Sequence, residues 1–209
     1  MSTPNTPITK SGLRSIWEIG DSFFPGHARR NYGKIIDFIH LTGYIRELAH
    51  GCQRVVEVGG GDFSYARHLV KTGALGRLPF VSTDIPSQRV QDARARESKF
   101  TIEEADLLDA QARFGGEKTL FVAANVLGNI VPEDLNLFLS RVKASGSSLA
   151  FIAGGPHPSI EEAYVADKIR YDHNYFRLIR EHGFQIHKYY MLFDPKVSKS
   201  ATYVMGLTS

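Results

Sequence analysis

Residues 55–66, VVEVGGGDFSYA, decide the predicted fold of this chain. The run VVEV has the composition of a buried strand, three glycines follow it, and FSYA begins a helical pattern. Glycines between a strand and a helix allow positive φ angles and a close approach of the backbone to a ligand. The stretch therefore predicts the first strand–turn–helix unit of an α/β sheet, with a binding loop at the end of its first strand.

Strand-like and helical segments alternate along the rest of the chain. The predicted strands are RVVEV, LPFVSTD, KFTIEEAD, KTLFVAAN, SSLAFIAG, FQIHKYYMLF and ATYVMGL, and a long helix is predicted over 159–183. Only DPKVSKS separates the last two strands, which is too short for a crossover helix, so they should form an antiparallel hairpin. The pattern predicts a single α/β domain with a doubly wound, mainly parallel seven-stranded sheet and a C-terminal antiparallel hairpin.

The composition is that of an ordinary soluble globular protein. The chain has 209 residues, 43% of them hydrophobic and 22% charged, and a formal net charge of +3. A dedicated nucleic-acid binder usually has a denser basic face, so nucleic acid is not favoured as a partner. Nothing in the sequence resembles a transmembrane span or a secretory leader, which predicts a cytoplasmic enzyme without a membrane partner. The eight histidines are dispersed and form no close ligand pair with Cys52, so we predict no metal site.

The glycine turn partly fits the dinucleotide fingerprint G-x-G-x-x-G/A, whose three positions fall on Gly59, Gly61 and Ser64. Asp62 counts against a dinucleotide. Its carboxylate lies at the start of the predicted helix, where it can accept hydrogen bonds from free backbone N–H groups. A pyrophosphate would need the same N–H groups and would be repelled by the carboxylate. The loop therefore favours a ligand without phosphates, and an NAD-dependent oxidoreductase remains an alternative.

Residues 57–63, EVGGGDF, resemble the first motif, E/D-x-G-x-G-x-G, of class I S-adenosylmethionine (SAM)-dependent methyltransferases. Phe63 departs from the last glycine of that motif. Polar residues then follow in the order of the same family. Asp84 ends the second predicted strand, Asp106 ends the third, and Asn125 ends the fourth, before a V-L-x-x-I pattern.

This resemblance, which extends over residues 53–207, implies SAM as the cofactor. The cofactor-binding residues that it implies are Glu57, Gly59, Gly60, Gly61, Asp84, Ile85, Asp106, Leu107 and Asn125. Glu57 and the glycines would hold the methionine end, Asp84 would accept hydrogen bonds from the ribose hydroxyls, and Asp106 would accept one from the adenine amine. From the residues alone, both aspartates can equally serve as helix caps, and this alternative stays open.

The resemblance also implies an N-terminal tail and helical lid segment, residues 1–50, and a SAM-dependent methyltransferase domain, residues 51–209. The candidate catalytic residues are Asn125 and His157, and histidine is a natural general base near neutral pH. The candidate substrate-binding residues are His27, Tyr32, Asn129 and His157. The aromatic residues of the N-terminal segment can instead simply cover the edge of the sheet.

Together these features predict methyl transfer from SAM to an oxygen or nitrogen of a small-molecule acceptor. The mild basicity and an arginine-rich N-terminal segment leave an RNA methyltransferase as an alternative. The departure at Phe63 leaves a second alternative, a catalytically silent scaffold with the same fold. The oligomeric state, including a homodimer, is left open by the sequence.

Overall fold

The computed structural model describes residues 35–116, 118–156, 164–165, 171–192 and 200–209. The helices are α1 (Ile35–Ala49), α2 (Ser64–Lys71), α3 (Gln88–Arg96), α4 (Leu107–Phe114), α5 (Pro132–Ala144) and α6 (Tyr175–Glu181). The strands are β1 (Arg54–Val58), β2 (Phe80–Asp84), β3 (Thr101–Glu104), β4 (Thr119–Ala124), β5 (Ser148–Pro156), β6 (Tyr164–Val165), β7 (Tyr171–Asp172), β8 (Gln185–Leu192) and β9 (Ser200–Thr208). A 3₁₀ turn spans Leu127–Asn129.

Seven of these strands form one sheet in the order β3-β2-β1-β4-β5-β9-β8. The strands from β1 to β5 pair in parallel, whereas β9 is antiparallel to both β5 and β8. The predicted seven-stranded, mainly parallel sheet and its C-terminal hairpin are therefore confirmed. The strand order reverses between β1 and β4, and the carboxyl ends of strands at such a switch point are where open α/β sheets bind ligands.

The central strands of the sheet are buried on both faces, which explains why they are continuous apolar runs. Val56 of β1 and Phe121 of β4 belong to one core cluster, which also contains the apolar side chains of α4 and α5. Val55 and Val122 belong to the other cluster, which contains those of α1, α2 and α3. Neighbouring residues of a strand point to opposite faces, so each central strand contributes to both clusters.

Helix α1 runs antiparallel to β8, the outer strand of the sheet. The His40 ring stacks on Tyr190, with the two ring centroids 4.3 Å apart. Further along the helix, the Glu47 carboxylate bonds Lys188 at 2.7 Å and His187 at 3.0 Å. Residue numbers rise along α1 from His40 to Glu47, whereas those of the contacted residues in β8 fall from Tyr190 to His187, so the two elements run in opposite directions. Because β8 has the same direction as β5, the N-terminal end of α1 lies at the carboxyl edge of the parallel strands.

The prediction of one long helix over 159–183 is wrong at 164–165 and 171–174, whereas α6 (Tyr175–Glu181) agrees with its last part. Val165 and Tyr171 are partners in the antiparallel pair of β6 and β7, and α6 begins only after Asn174. The Asn174 side chain accepts a hydrogen bond from the N–H of Arg177 at 3.0 Å, as a strong N-cap residue does. The tyrosines of this segment recur at helical spacing, but aromatic and β-branched residues suit a strand pair equally well.

Two sequence signals mark helix ends. Pro132 occupies the first turn of α5, and Glu133 and Asp134 follow it at the positive end of the helix dipole. Gly183, with a φ of +71°, follows the end of α6. Within the described ranges, no helix is both long enough and apolar enough to cross a membrane.

Candidate functional site

The loop after β1 has positive φ angles at every second residue. The φ angle is +70° at Gly59, +61° at Gly61 and +58° at Phe63, all in the left-handed region that favours glycine. These are the three glycine positions of the motif that the sequence resembles. Phe63 therefore keeps the backbone conformation of the missing glycine, at a cost of about 1–2 kcal/mol for a residue with a Cβ.

The Phe63 ring lies beneath the loop. It is 0% exposed and belongs to the same core cluster as Ala66 and Leu69 of α2. A Cβ added to Gly60 would lie 2.8 Å from the ring, so the absence of a side chain at Gly60 makes room for it. The ring is thus part of the hydrophobic core, which the sequence alone did not reveal.

Close packing also explains Gly59. A Cβ at this position would lie 2.4 Å from Cγ2 of Val126, in the segment that follows β4. Gly61 differs, because an added Cβ would meet no described atom within 4 Å. The loop therefore packs against the end of β4 at Gly59 and has room for a Cβ at Gly61 among the residues that the structure describes.

Asp84, at the end of β2, is bonded directly to the glycine loop. Its Oδ2 accepts a hydrogen bond from the N–H of Gly61 at 2.6 Å, and its Oδ1 accepts one from the N–H of Ile85 at 2.7 Å. The Arg89 guanidinium lies 3.8 Å from Oδ2. The carboxylate is thus oriented by two backbone groups at the edge where a ligand of this sheet would bind.

Glu57 lies behind the same loop. Its carboxyl is 1% exposed and accepts a hydrogen bond from the hydroxyl of Ser82. Burial raises the pKa of Glu57 to about 7, although the Ser82 hydrogen bond lowers it, and the negative charges of Asp84 and Asp62 raise it further. The Glu57 carboxyl therefore lies inside the protein, directly beneath the backbone of the glycine loop.

Asp62 caps the start of α2, as predicted. Its Oδ1 accepts a hydrogen bond from the N–H of Ser64 at 3.0 Å. The Arg67 guanidinium donates to the carbonyl of Asp62 at 2.9 Å and also bonds the Glu97 carboxylate at 3.1 Å. The helix start is thus occupied by a carboxylate, in the place that a pyrophosphate would need.

Asp106 lies two residues beyond β3 and caps α4. Its Oδ1 accepts hydrogen bonds from the N–H groups of Leu108 at 3.0 Å and Asp109 at 2.9 Å. Leu107, the first residue of α4, is buried. The helix-cap role that the sequence left open is therefore present, and both cap bonds end on the same carboxylate oxygen.

Asn125 follows β4 directly and has a φ of +60°. Its N–H donates to the carbonyl of Ile152 in β5 at 2.8 Å, which holds this left-handed residue in place. A non-glycine residue in this region is strained by about 1–3 kcal/mol, and such strain is common at binding sites. The 3₁₀ turn that contains Asn129 comes next.

His173 fixes that turn, and sequence reasoning missed this role. The side chain is 2% exposed, and its Nε2 bonds the carbonyl of Ile130 at 2.9 Å. Burial lowers the pKa of His173, while hydrogen bonds to the carbonyls of Ile130 and Leu127 oppose this effect. The contact joins the segment after β4 to the segment before α6. A single histidine in a predicted helix gave no signal of it.

The predicted cofactor residues meet at one edge of the sheet. Glu57, the glycine loop and Asp84 form one hydrogen-bonded unit at the ends of β1 and β2. The N–H of Ala105, next to Asp106, donates to the carbonyl of Asp84 at 2.9 Å, which links this unit to the end of β3.

The structure describes only some of the predicted acceptor residues. Asn125 and Asn129 lie on the other side of the loop, after β4. His27, Tyr32 and His157 lie outside the described residues. Among the residues that the structure does describe, no three His, Cys, Asp or Glu side chains converge as a metal site would require.

Known structures identify the fold. The 1,6-didemethyltoxoflavin-N1-methyltransferase of Burkholderia thailandensis matches 100% of this chain and 93% of its own, with a TM-score of 0.64 and 12% identity. Human N-acetylserotonin methyltransferase, in complex with SAM, matches 81% of this chain and 51% of its own, with a TM-score of 0.55 and 14% identity. This chain has the class I methyltransferase fold.

The methyltransferase fold is shared by proteins with different activities. A pericyclic reaction enzyme matches 75% of this chain with a TM-score of 0.55 and 14% identity, and this chain spans only 43% of its length. No model of a known protein family and no curated protein matches this sequence. At these identities the similarity concerns the fold, and activity depends on the residues of the site.

Proposed function

We propose that this chain is a SAM-dependent methyltransferase that acts on an oxygen or nitrogen of a small-molecule acceptor. The proposal depends above all on three carboxyl groups around the glycine loop, those of Glu57, Asp62 and Asp84. SAM has a sulfonium cation and an ammonium group but no phosphate, so acids beside the loop favour it. Asp62 also disfavours a dinucleotide, because its carboxylate occupies the helix start that a pyrophosphate would need.

The geometry fits SAM at each part of the site. The backbone around Gly61 borders open space, where the methionine end would lie. Asp84 would accept hydrogen bonds from the ribose hydroxyls, because two backbone N–H groups already orient its carboxylate. Both cap bonds of Asp106 end on Oδ1, so Oδ2 is the oxygen that we assign to the adenine amine, with Leu107 against the ring.

When bound, SAM supplies an electrophilic methyl carbon for in-line displacement by the acceptor. The protein must then align the acceptor and exclude water. We assign Asn125 to the alignment of the acceptor, because it directly follows β4 at the binding edge. Its left-handed backbone, with a φ of +60°, is of the kind that is common at binding sites. We assign His157 as the base that accepts the acceptor's proton at a ring nitrogen, since β5 ends at the same edge with Pro156.

The remaining acceptor contacts are assigned to Asn129, His27 and Tyr32. The N-terminal end of α1 lies at the carboxyl edge of the sheet. This position supports the proposal that the N-terminal segment, residues 1–50, covers the cofactor as a lid.

The acceptor class is inferred from similar folds and from the loop. Two of the similar structures are methyltransferases named for small molecules, 1,6-didemethyltoxoflavin and N-acetylserotonin. The alternative of a silent scaffold depended on Phe63, and the burial of its ring beneath a loop with glycine-like backbone angles supports an active site over that alternative. An RNA acceptor has no comparable support, since the net charge is only +3.

Isothermal titration of the purified protein tests the proposal. We expect binding of S-adenosylhomocysteine (SAH) and no binding of NADH under the same conditions. Incubation with methyl-labelled SAM and a metabolite extract should then transfer label to a small molecule, and RNA in a parallel incubation should stay unlabelled. Binding of NADH without SAH would overturn the cofactor assignment. Label in RNA alone would overturn the acceptor class.

A further inference from the structure

We propose that Glu57 makes this site select the cationic cofactor over its neutral product, by charge acting through the glycine loop rather than by contact. The inference rests on the function proposed above. SAM has one net positive charge, whereas SAH has lost the sulfonium and is neutral overall. A negative charge just beneath the loop stabilises the complex with SAM and leaves the complex with SAH almost unchanged. Such a preference favours replacement of the product by new cofactor.

Glu57 lies beneath the loop, so we assign it an effect through the loop instead of the direct hold on the methionine end that the resemblance implied. Its carboxyl is 1% exposed and bonded to the hydroxyl of Ser82. That same hydroxyl oxygen is only 2.5 Å from where a Cβ of Gly60 would lie. The N–H of Gly60 donates to the carbonyl of Thr83 at 2.9 Å. The Glu57 carboxyl therefore contacts the Ser82 hydroxyl, which in turn packs against the backbone of the loop at Gly60. The loop thus lies between Glu57 and the binding edge.

The charges that act on Glu57 are acids. Asp84 from β2 and Asp62 from the glycine loop both raise its pKa. On the α2 side lies Tyr65, whose own pKa is raised by burial and, to a smaller extent, by the charge of Glu57. On the β4 side, the partner of Glu57 is the apolar Val122. A cation bound at the loop would therefore be the counter-charge of this buried carboxylate.

This arrangement couples cofactor binding to a proton. The pKa of Glu57, raised by burial to about 7, makes the carboxyl partly protonated in the free protein near neutral pH. A bound cation stabilises the ionised form, so SAM binding lowers this pKa and releases part of a proton. As the pH rises through about 7, the free protein already has the ionised form, and its affinity for SAM increases. Its affinity for SAH does not.

Titration calorimetry of the wild type and Glu57→Gln, each with SAM and SAH at about pH 6, 7 and 8, tests this coupling. Glutamine keeps an acceptor for the Ser82 hydroxyl but is never charged. We expect the ratio of SAM affinity to SAH affinity to rise about five-fold more in the wild type than in the variant. The amino groups of the ligands titrate equally with both proteins, so the comparison isolates Glu57. Buffers of different ionisation enthalpy should show the extra proton release with SAM in the wild type alone.

Two further variants complete the test. Glu181→Gln removes an exposed carboxyl on α6 and should behave like the wild type. Ser82→Ala removes the donor that stabilises the ionised Glu57, so the rise in the affinity ratio should move to higher pH. If Glu57→Gln fails to fold, Ser82→Ala tests the inference instead, and a shift of the affinity ratio to lower pH, or no shift, would overturn it. Equal ratios in wild type and Glu57→Gln at every pH, with SAH bound by both, would overturn the inference but not the proposed function. If neither ligand binds the wild type, the proposed function fails as well.

Discussion

The carboxylate of Asp84 accepts a hydrogen bond from the N–H of Gly61 at 2.6 Å, which joins the end of β2 to the loop after β1. The same carboxylate bonds the N–H of Ile85 at 2.7 Å. One acid thus holds the loop in its conformation and is itself held in one orientation. Loss of this acid should therefore disturb both the loop and any ligand that the acid binds.

Replacement of Asp84 should weaken SAH binding. Each hydrogen bond to a charged group contributes about 1.5–3 kcal/mol, so Asp84→Ala is expected to lower the affinity about 10- to 100-fold. Asp84→Asn keeps one oxygen acceptor and should lower it less. Calorimetry measures both effects.

Asp92→Asn is the matched control for these variants. Asp92 is an exposed aspartate on α3 that is bonded to Gln88 at 2.9 Å, outside the proposed site. The SAH affinity of Asp92→Asn should equal that of the wild type. An unchanged affinity in Asp84→Ala would mean that the ribose is bound elsewhere.

Phe63 should show an unusual order of stabilities. Both Phe63→Ala and Phe63→Gly remove a fully buried ring, which costs about 3–5 kcal/mol. Only glycine relieves the left-handed backbone, so Phe63→Gly should be more stable than Phe63→Ala by about 1 kcal/mol. Urea unfolding measures the difference. In the middle of α5, Phe138 offers the control, because alanine there should be more stable than glycine. The same order at both positions would contradict the backbone assignment of Phe63.

Two of the three loop glycines, Gly59 and Gly61, should respond differently to alanine. Gly61→Ala meets open space and should cost only the left-handed backbone strain, about 1–2 kcal/mol. Gly59→Ala adds a clash with Val126 and should cost about 1–3 kcal/mol more. In a Val126→Gly background, which also removes the Cβ that would lie 2.7 Å away, this extra cost should largely disappear. A double-mutant cycle of unfolding free energies measures the coupling, and a coupling near zero would mean that the loop does not press on the end of β4.

Glu57 should also affect stability in a pH-dependent way. Its pKa is about 7 in the folded protein and 4.5 as a reference, so the folded state holds the proton more tightly. The wild type should therefore lose stability as the pH rises from about 4.5 to about 7, and lose no more above that range. Glu57→Gln does not titrate. Its stability relative to the wild type should rise by up to about 3 kcal/mol across this range, measured by urea unfolding without ligand. A constant difference at all pH values would contradict the raised pKa.

His173 should give the opposite pH dependence. Burial lowers its pKa below the reference value of 6.5, so the unfolded chain takes up a proton that the folded protein does not. The wild type should lose this contribution to stability as the pH falls below about 6.5, and keep it in full above. His173→Gln should lack this loss. His50→Gln, at an exposed position, should retain it, and equal slopes in all three proteins would refute the assignment.

The sheet could be predicted because its signals are local. Continuous apolar runs gave the strands, and the short DPKVSKS connection required an antiparallel hairpin. Asp84 could be placed at the edge of the sheet because the carboxyl ends of parallel strands lie together. The burial of the Phe63 ring and the contact between His173 and Ile130 were not predictable in this way. Both depend on packing between segments that are distant in sequence, and composition and periodicity do not record it.

The position of β9 has a consequence for synthesis of the chain. This strand is made after β8 but lies between β5 and β8. On the ribosome, β8 therefore emerges before the strand that connects it to the sheet, and β5 waits with one edge uncovered. The five strands from β3 to β5 can assemble during translation. Strands β9 and β8 can join them only after residues 200–208 have left the exit tunnel. Chaperone dependence should therefore be greatest in the interval between the emergence of β8 and that of β9, when the edges of β5 and β8 await a single partner.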